Sequence, residues 1–176
     1  MSIGTIYLES IQKRFLTHKN LGDKTLARLD NKQLHWQPEG EPNSIAIIIK
    51  HLHGNMISRW TDFLTTDGEK PGRHRDAEFE NDAYSKEELI TLWEAGWKCL
   101  LDTLAGLTEA DLEKTVYIRQ EPHSVIDAIN RQLAHIPYHV GQIVWIGKAL
   151  LQDQWESLSI PKGKSEDFNN TKYGKR

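Results

Sequence analysis

Apolar residues recur every three or four positions along four long stretches of the chain, and polar, turn-rich segments separate them. In the first, Ile3, Ile6, Tyr7, Ile11, Phe15, Leu21 and Leu29 alternate with charges, which predicts a helix from Ile3 to about Leu29. Asp30 to Asn43 carries Pro38, Gly40 and Pro42 and reads as a loop; nothing fixes a role for its His35 and Trp36. The second stripe is Ile45, Ile48, Ile49, Leu52, Met56, Trp60 and Phe63. It starts behind Asn43 or Ser44, either a good N-cap, and ends before Gly68. Thr66 to Tyr84 is a long polar loop. Its Arg73, Arg75, Asp76 and Glu78 offer ion pairs that would make it a structured cover, and a solvated loop is the alternative.

A third helix opens on a capping box, Ser85 with Glu88, and runs through Leu89, Leu92, Trp93, Gly96, Cys99, Leu100 and Leu104 to a stop at Gly106. Leu107 to Leu112 reads as a short extra turn opened by Thr108, and Thr115 to Ile118 is β-like with no evident partner. The fourth helix opens near Ser124 and carries Val125, Ile129, Leu133, Ile136, Val140, Ile143, Ile146 and Leu150. Pro137 removes the amide that would bond to the Leu133 carbonyl. Either the helix kinks there or a new helix begins; apolar spacing in phase on both sides favours a kink. From about Gln154, Pro161, Gly163, Gly174 and many charges predict an irregular tail. The expected fold is an all-α four-helix bundle forming one domain over residues 1–176.

A net charge of −3 without a basic run gives no general attraction to nucleic acid. The longest apolar run, Ile45 to Ile49, is far too short to span a bilayer, and the N-terminus does not read as a signal peptide. Cys99 is the single cysteine and lies on an apolar face, so it reads as a core residue. A soluble cytoplasmic protein is expected. The aromatic and apolar residues of the first, third and fourth helices, Trp93, Trp97 and Trp145 among them, exceed what one small bundle should bury. That predicts a homodimer.

The candidate chemistry lies in Arg131–Gln142, RQLAHIPYHVGQ, where His135 and His139 stand four apart on one helical face. Two such imidazoles can grip one metal ion. With eight histidines in the chain, one such pair is a weak signal and needs a third ligand. On the second helix His51 and His53 flank the apolar stripe on opposite sides. His53 is nearer its centre, and periodicity does not choose between them. His51 shares its face with Asn55 and Arg59, a polar strip that fits either a buried site or an ordinary solvated face. His18 reads as a boundary residue.

The run NSIAIIIKHLHGNMISRWTDFLTTDGEKPGRHRD, with SIAIIIKHL at its head, is followed about eighty residues later by His135-x-x-x-His139-x-Gly141-Gln142. This pattern resembles the DinB-like superfamily of metalloenzymes, which includes bacillithiol transferase-like proteins, over nearly the whole chain. The resemblance implies an up-down-down-up four-helix bundle with His51, His135 and His139 on one divalent ion, and so selects His51 over His53. Pro137 departs from the commoner family pattern.

Three neutral imidazoles leave coordination positions open, and zinc or nickel suits them. No carboxylate in these motifs is an evident general base. Asn55, Arg59 and Gln142 are candidates for contacts behind the ligands or to a small-molecule substrate. The expected activity is transfer of a low-molecular-weight thiol to an electrophile. The alternatives are metal-dependent hydrolysis, metal or ligand binding without turnover, and a structural dimer.

Overall fold

Serine side chains start all four long helices of the computed structural model, which describes residues 1–37, 39 and 43–174. Pro38, Gly40 and Pro42, expected to break the pattern after the first helix, lie outside the described residues. Helix α1 is Ile3–Leu26, with the Ser2 hydroxyl accepting from the Thr5 amide. It stops short of Leu29 because a second signal intervenes: Asp30 and Gln33 form the capping box of a one-turn helix, α2, Asn31–Leu34. Ser44 caps α3, Ile45–Trp60. Ser85 and Glu88 form the expected box at the head of α4, Lys86–Gly106.

Helix α3 ends well before Gly68. Thr61 is extended and Asp62 takes a positive φ of 49°, so the chain turns. Phe63 still reaches the core and stacks on Trp60 at 4.6 Å between ring centroids. Its place in the apolar rhythm reflects burial from a turn, not a continuing helix. The loop that follows is a structured cover. The Ser58 hydroxyl donates to the Gly68 carbonyl at 2.8 Å and accepts from the Lys70 amide at 3.1 Å. Lys50 holds the far end through the Glu80 carbonyl and Asp82. Between them a 3-10 turn, Asp76–Phe79, packs on α3.

Strand β1, Thr115–Ile118, does have a partner. It pairs antiparallel with β2, Glu121–Ser124, in the register Val116 opposite His123. The sequence Glu-Pro-His-Ser does not read as a strand, since proline and polar residues depress that expectation. Arg119 and Gln120 form the turn with φ of 57° and 64°, and both amides donate to the Asp67 carboxylate, at 2.9 and 2.7 Å. The hairpin thereby locks to the cover loop, and β2 runs into α5, Val125–Leu151, capped by Ser124. Helix α5 continues unbroken through Pro137. The tail is not wholly irregular: α6 spans Ser165–Tyr173. Its residues are nearly all exposed, Phe168 included, so no apolar stripe announces it.

Among the long helices, α3 packs on α4, α4 on α1, α1 on α5 and α5 on α3. Bare glycines allow close approach: a Cβ on Gly147 would stand 2.5 Å from Thr25 Cγ2, and one on Gly22 would stand 2.4 Å from the Trp93 ring. This space corrects one expectation. Trp93 and Trp97 are buried inside the chain and have nothing to offer a second copy, whereas Trp145 is 62 % exposed. Cys99 is half-buried against the core, with Sγ 3.6 Å from Thr61 Oγ1. Among the described residues, no helix is long and apolar enough to cross a membrane.

Candidate metal centre

The N-terminal half of α3, IAIIIKHL, is buried on every side, because α4, α5 and the Asp76–Phe79 turn all cover it. His51 is therefore placed inside the molecule, only 6 % exposed. Helix α5 packs across it and brings His135 and His139 from one face. The proline between them has not broken the pair: their Nε2 atoms lie 3.2 Å apart. His51 Nε2 is 3.1 Å from His135 Nε2. One nitrogen from each ring falls within 4.8 Å of the other two. Two ligands held 2.0–2.1 Å from one tetrahedral ion stand roughly 3.3 Å apart, so these separations fit a shared ion. His51, His135 and His139 are close enough to hold a metal ion; among the described residues they are the one such group of histidine, cysteine or acidic side chains.

The outer nitrogens explain how the rings are aimed. His51 Nδ1–H donates to Glu78 Oε2 at 2.9 Å, which leaves the Nε2 lone pair facing inward. Glu78 is itself gripped by Arg73, through Nε to Oε1 at 2.7 Å and Nη2 to Oε2 at 2.9 Å. Phe79 covers the His51 ring at 4.9 Å. Glu78 comes this close because α3 is bare at Gly54, where a Cβ would stand 2.2 Å from Oε1. His139 Nδ1–H donates to Gln142 Oε1 at 2.8 Å, so its Nε2 also faces inward. His135 Nδ1 is buried with no hydrogen-bond partner among the described residues.

Burial, reinforced by His139, His51, Arg73 and Arg59, pushes the His135 pKa down to about 3. Burial also lowers His139, against a smaller opposing effect of Gln142. Both shifts favour the neutral ring, the form a metal needs. Burial acts to raise the Glu78 pKa, but the hydrogen bonds from His51 and Arg73 outweigh it and hold the carboxyl below its ordinary range. His53 lies outside the group and is half-buried, its pKa lowered by burial.

A cavity of about 130 Å³ adjoins His135 and is lined by Asn55, Arg59, Trp60, Arg131 and Gln132, among others. Asn55 and Arg59 of the polar strip on α3 thus face a cavity and not open solvent. Asn55 Oδ1 accepts from Gln132 Nε2 at 3.0 Å. Arg59 donates to the Gly68 carbonyl and, at 3.0 Å, to Glu69. Gln142 stands behind His139.

Sequence reasoning named Glu78 only as part of an ion-paired cover and did not connect it to His51. A loop residue carries no periodicity that would make that link. Arg131 and Gln132 were passed over too, although they precede His135 by four and three residues, a spacing that places them on its flank.

No curated protein matches this chain. A family model described as "Protein of unknown function (DUF1572)" matches residues 2–164, nearly all of the sequence, and the chain belongs to that family.

Proposed function

We propose that this chain is a DinB-like metalloenzyme that transfers a low-molecular-weight thiol to an electrophilic small molecule. The carrying observation is the convergence of three neutral-capable imidazoles, two of them aimed by outer hydrogen bonds, beside a polar cavity. The ring of contacts among α1, α4, α3 and α5 supports the up-down-down-up four-helix bundle of that superfamily. Imidazole ligands suit zinc or nickel. His51, His135 and His139 would hold the ion, which when bound would lower the pKa of a coordinated thiol or water.

The protein's own groups then orient and exclude. Glu78 and Gln142 fix two ligand rings. Glu78 already accepts three hydrogen bonds and is not free to take a proton from a substrate. The thiol proton therefore leaves to solvent, the sulfur attacks the electrophilic carbon, the sulfur–carbon bond forms, and the leaving group departs with its electron pair. Cys99 does not line the cavity, so the thiol comes from outside. Asn55 and Arg59 line it, which supports a role for them in substrate contact. The setting we infer is cytoplasmic. The assembly is a homodimer resting on Trp145 and Tyr138, which lie exposed seven residues apart on α5; light scattering at the 20.3 kDa chain mass would count against it.

The test is an assay of zinc- or nickel-loaded protein with a chlorinated aromatic or an epoxide, with and without bacillithiol-like thiols. Thiol-dependent conjugation that disappears in His139→Ala supports transfer. Turnover of an ester or amide without thiol replaces this reading with hydrolysis, water taking the thiol's place. Metal binding without either reaction replaces it with a binding role.

A further inference from the structure

Arg59 and Arg131 both line the cavity beside His135, and they differ in one respect. Arg59 is committed to protein partners: its guanidinium serves the Gly68 carbonyl and Glu69, and its side chain is 12 % exposed. Among the described residues Arg131 has no carboxylate nearer than Glu121, at 4.0 Å, and its side chain is 51 % exposed. Yet it is not loose. Its Nη1 lies 3.4 Å from Nε2 of His123, a buried histidine on β2. His123 Nδ1–H donates to Asp127 Oδ2 at 2.5 Å, which leaves the Nε2 lone pair to accept from Arg131. Hairpin and helix start thus combine to hold one guanidinium at the cavity, with Glu121 Oε2, 3.6 Å from His123 Nε2, only at the edge of ion-pair distance from it.

The other lining residues suit a small ligand with one charged end. Trp60, Phe63 and Ile118 are apolar, and Asn55 with Gln132 adds an amide pair. By liquid volume the cavity takes about four waters, room for a carboxylate on a short carbon stem. A guanidinium matches a carboxylate with two parallel hydrogen bonds. A divalent ion on the neighbouring histidines would add positive charge and favour the same ligand.

We propose that Arg131 binds the carboxylate of the site's small-molecule substrate, with the stem lying toward His135 and with His123 and Asp127 positioning the guanidinium. This deepens the thiol-transfer reading and rests on it for the sulfur end of the ligand. The probes are 3-mercaptopropionate and its neutral twin 3-mercapto-1-propanol, alongside their sulfur-free counterparts propionate and propanol. They are titrated into the zinc-loaded and metal-free chain of residues 1–176, and binding is followed by the Arg131 Nε–H resonance and by calorimetry.

Each carboxylate should bind about tenfold or more tightly than its alcohol, a ratio typical of a charge-assisted contact. In the metal-free protein the propionate-to-propanol ratio should fall to near one in Arg131→Gln and survive in part in Arg131→Lys. A ratio near one in the unaltered protein, or one undiminished in Arg131→Gln, overturns the proposal. Thiols that bind zinc-loaded protein no better than their sulfur-free counterparts sink the thiol reading alone, because the propionate-to-propanol ratio still decides the role of Arg131.

Discussion

Replacing Glu78 by Gln keeps the shape of the side chain and removes its charge, and the consequences can be worked from the structure. Three N–H donors converge on its two oxygens: His51 Nδ1, Arg73 Nε and Arg73 Nη2. An amide has one oxygen, so one donor must face an NH₂ group. Loss of a ligand's outer partner typically costs 10–100-fold in metal affinity, about 1.4–2.7 kcal/mol. With the donors thus crowded, the upper half of that range is expected for Glu78→Gln. Folding suffers separately. Arg73, whose side chain is 4 % exposed, would keep only Glu69, at 3.7 Å. Breaking a buried pair costs about 3–5 kcal/mol, and the surviving partner argues for the lower end. Glu78→Gln combined with Arg73→Met removes both charges, so most of the stability should return while metal affinity stays low. Urea unfolding of the metal-free chain and competition against a chelator measure the two quantities. Unchanged metal affinity in Glu78→Gln would refute the claim that this carboxylate aims His51.

Gly54→Ala sets helix propensity against packing. Alanine should gain about 1 kcal/mol in a helix interior, but its Cβ would stand 2.2 Å from Glu78 Oε1. We expect no net gain in urea unfolding and a fall in metal affinity resembling that of Glu78→Gln; a stabilised variant with full affinity would show that Glu78 can move freely. The pH dependence of the metal-free protein follows from His135, whose folded pKa of about 3 lies below the ordinary histidine value of about 6.5. The unfolded chain binds that proton first, so the stability contributed by neutral His135 is full above about pH 6.5 and is lost as pH falls toward 3. The urea midpoint should drop across that window, and His135→Asn should flatten the slope; an unflattened slope would place the titrating group elsewhere.

The long helices were legible because each buries one periodic stripe behind a serine cap, as Ser44 and Ser85 show. What escaped the reading is structure held by single polar contacts. Strand β2 exists because β1 and the Asp67 carboxylate hold the turn at Arg119 and Gln120, and no propensity of Glu-Pro-His-Ser suggests it. Phe63 mimicked a helical position because burial, and not helix geometry, set its spacing. At the site, the His135–His139 spacing was visible in the chain, whereas the choice of His51 over His53 came from family resemblance. The structure supplies the physical reason for that choice: α5 and the Glu78 turn close on the His51 side of α3. Trp93 and Trp97 looked like surplus aromatic surface until Gly22 was seen to make room for one of them.

One divalent ion bound by His51, His135 and His139 would show as metal content per chain. Purified protein loaded with zinc or nickel and freed of excess by gel filtration is measured by elemental analysis, alongside His51→Ala, His135→Ala, His139→Ala and His53→Ala, with circular dichroism to confirm that each variant is folded. The expected result is about one ion per chain in the unaltered protein and in His53→Ala, and none in the other three. A folded His51→Ala that keeps its ion while His53→Ala loses it, or an unaltered chain that retains no ion at neutral pH, would contradict the account.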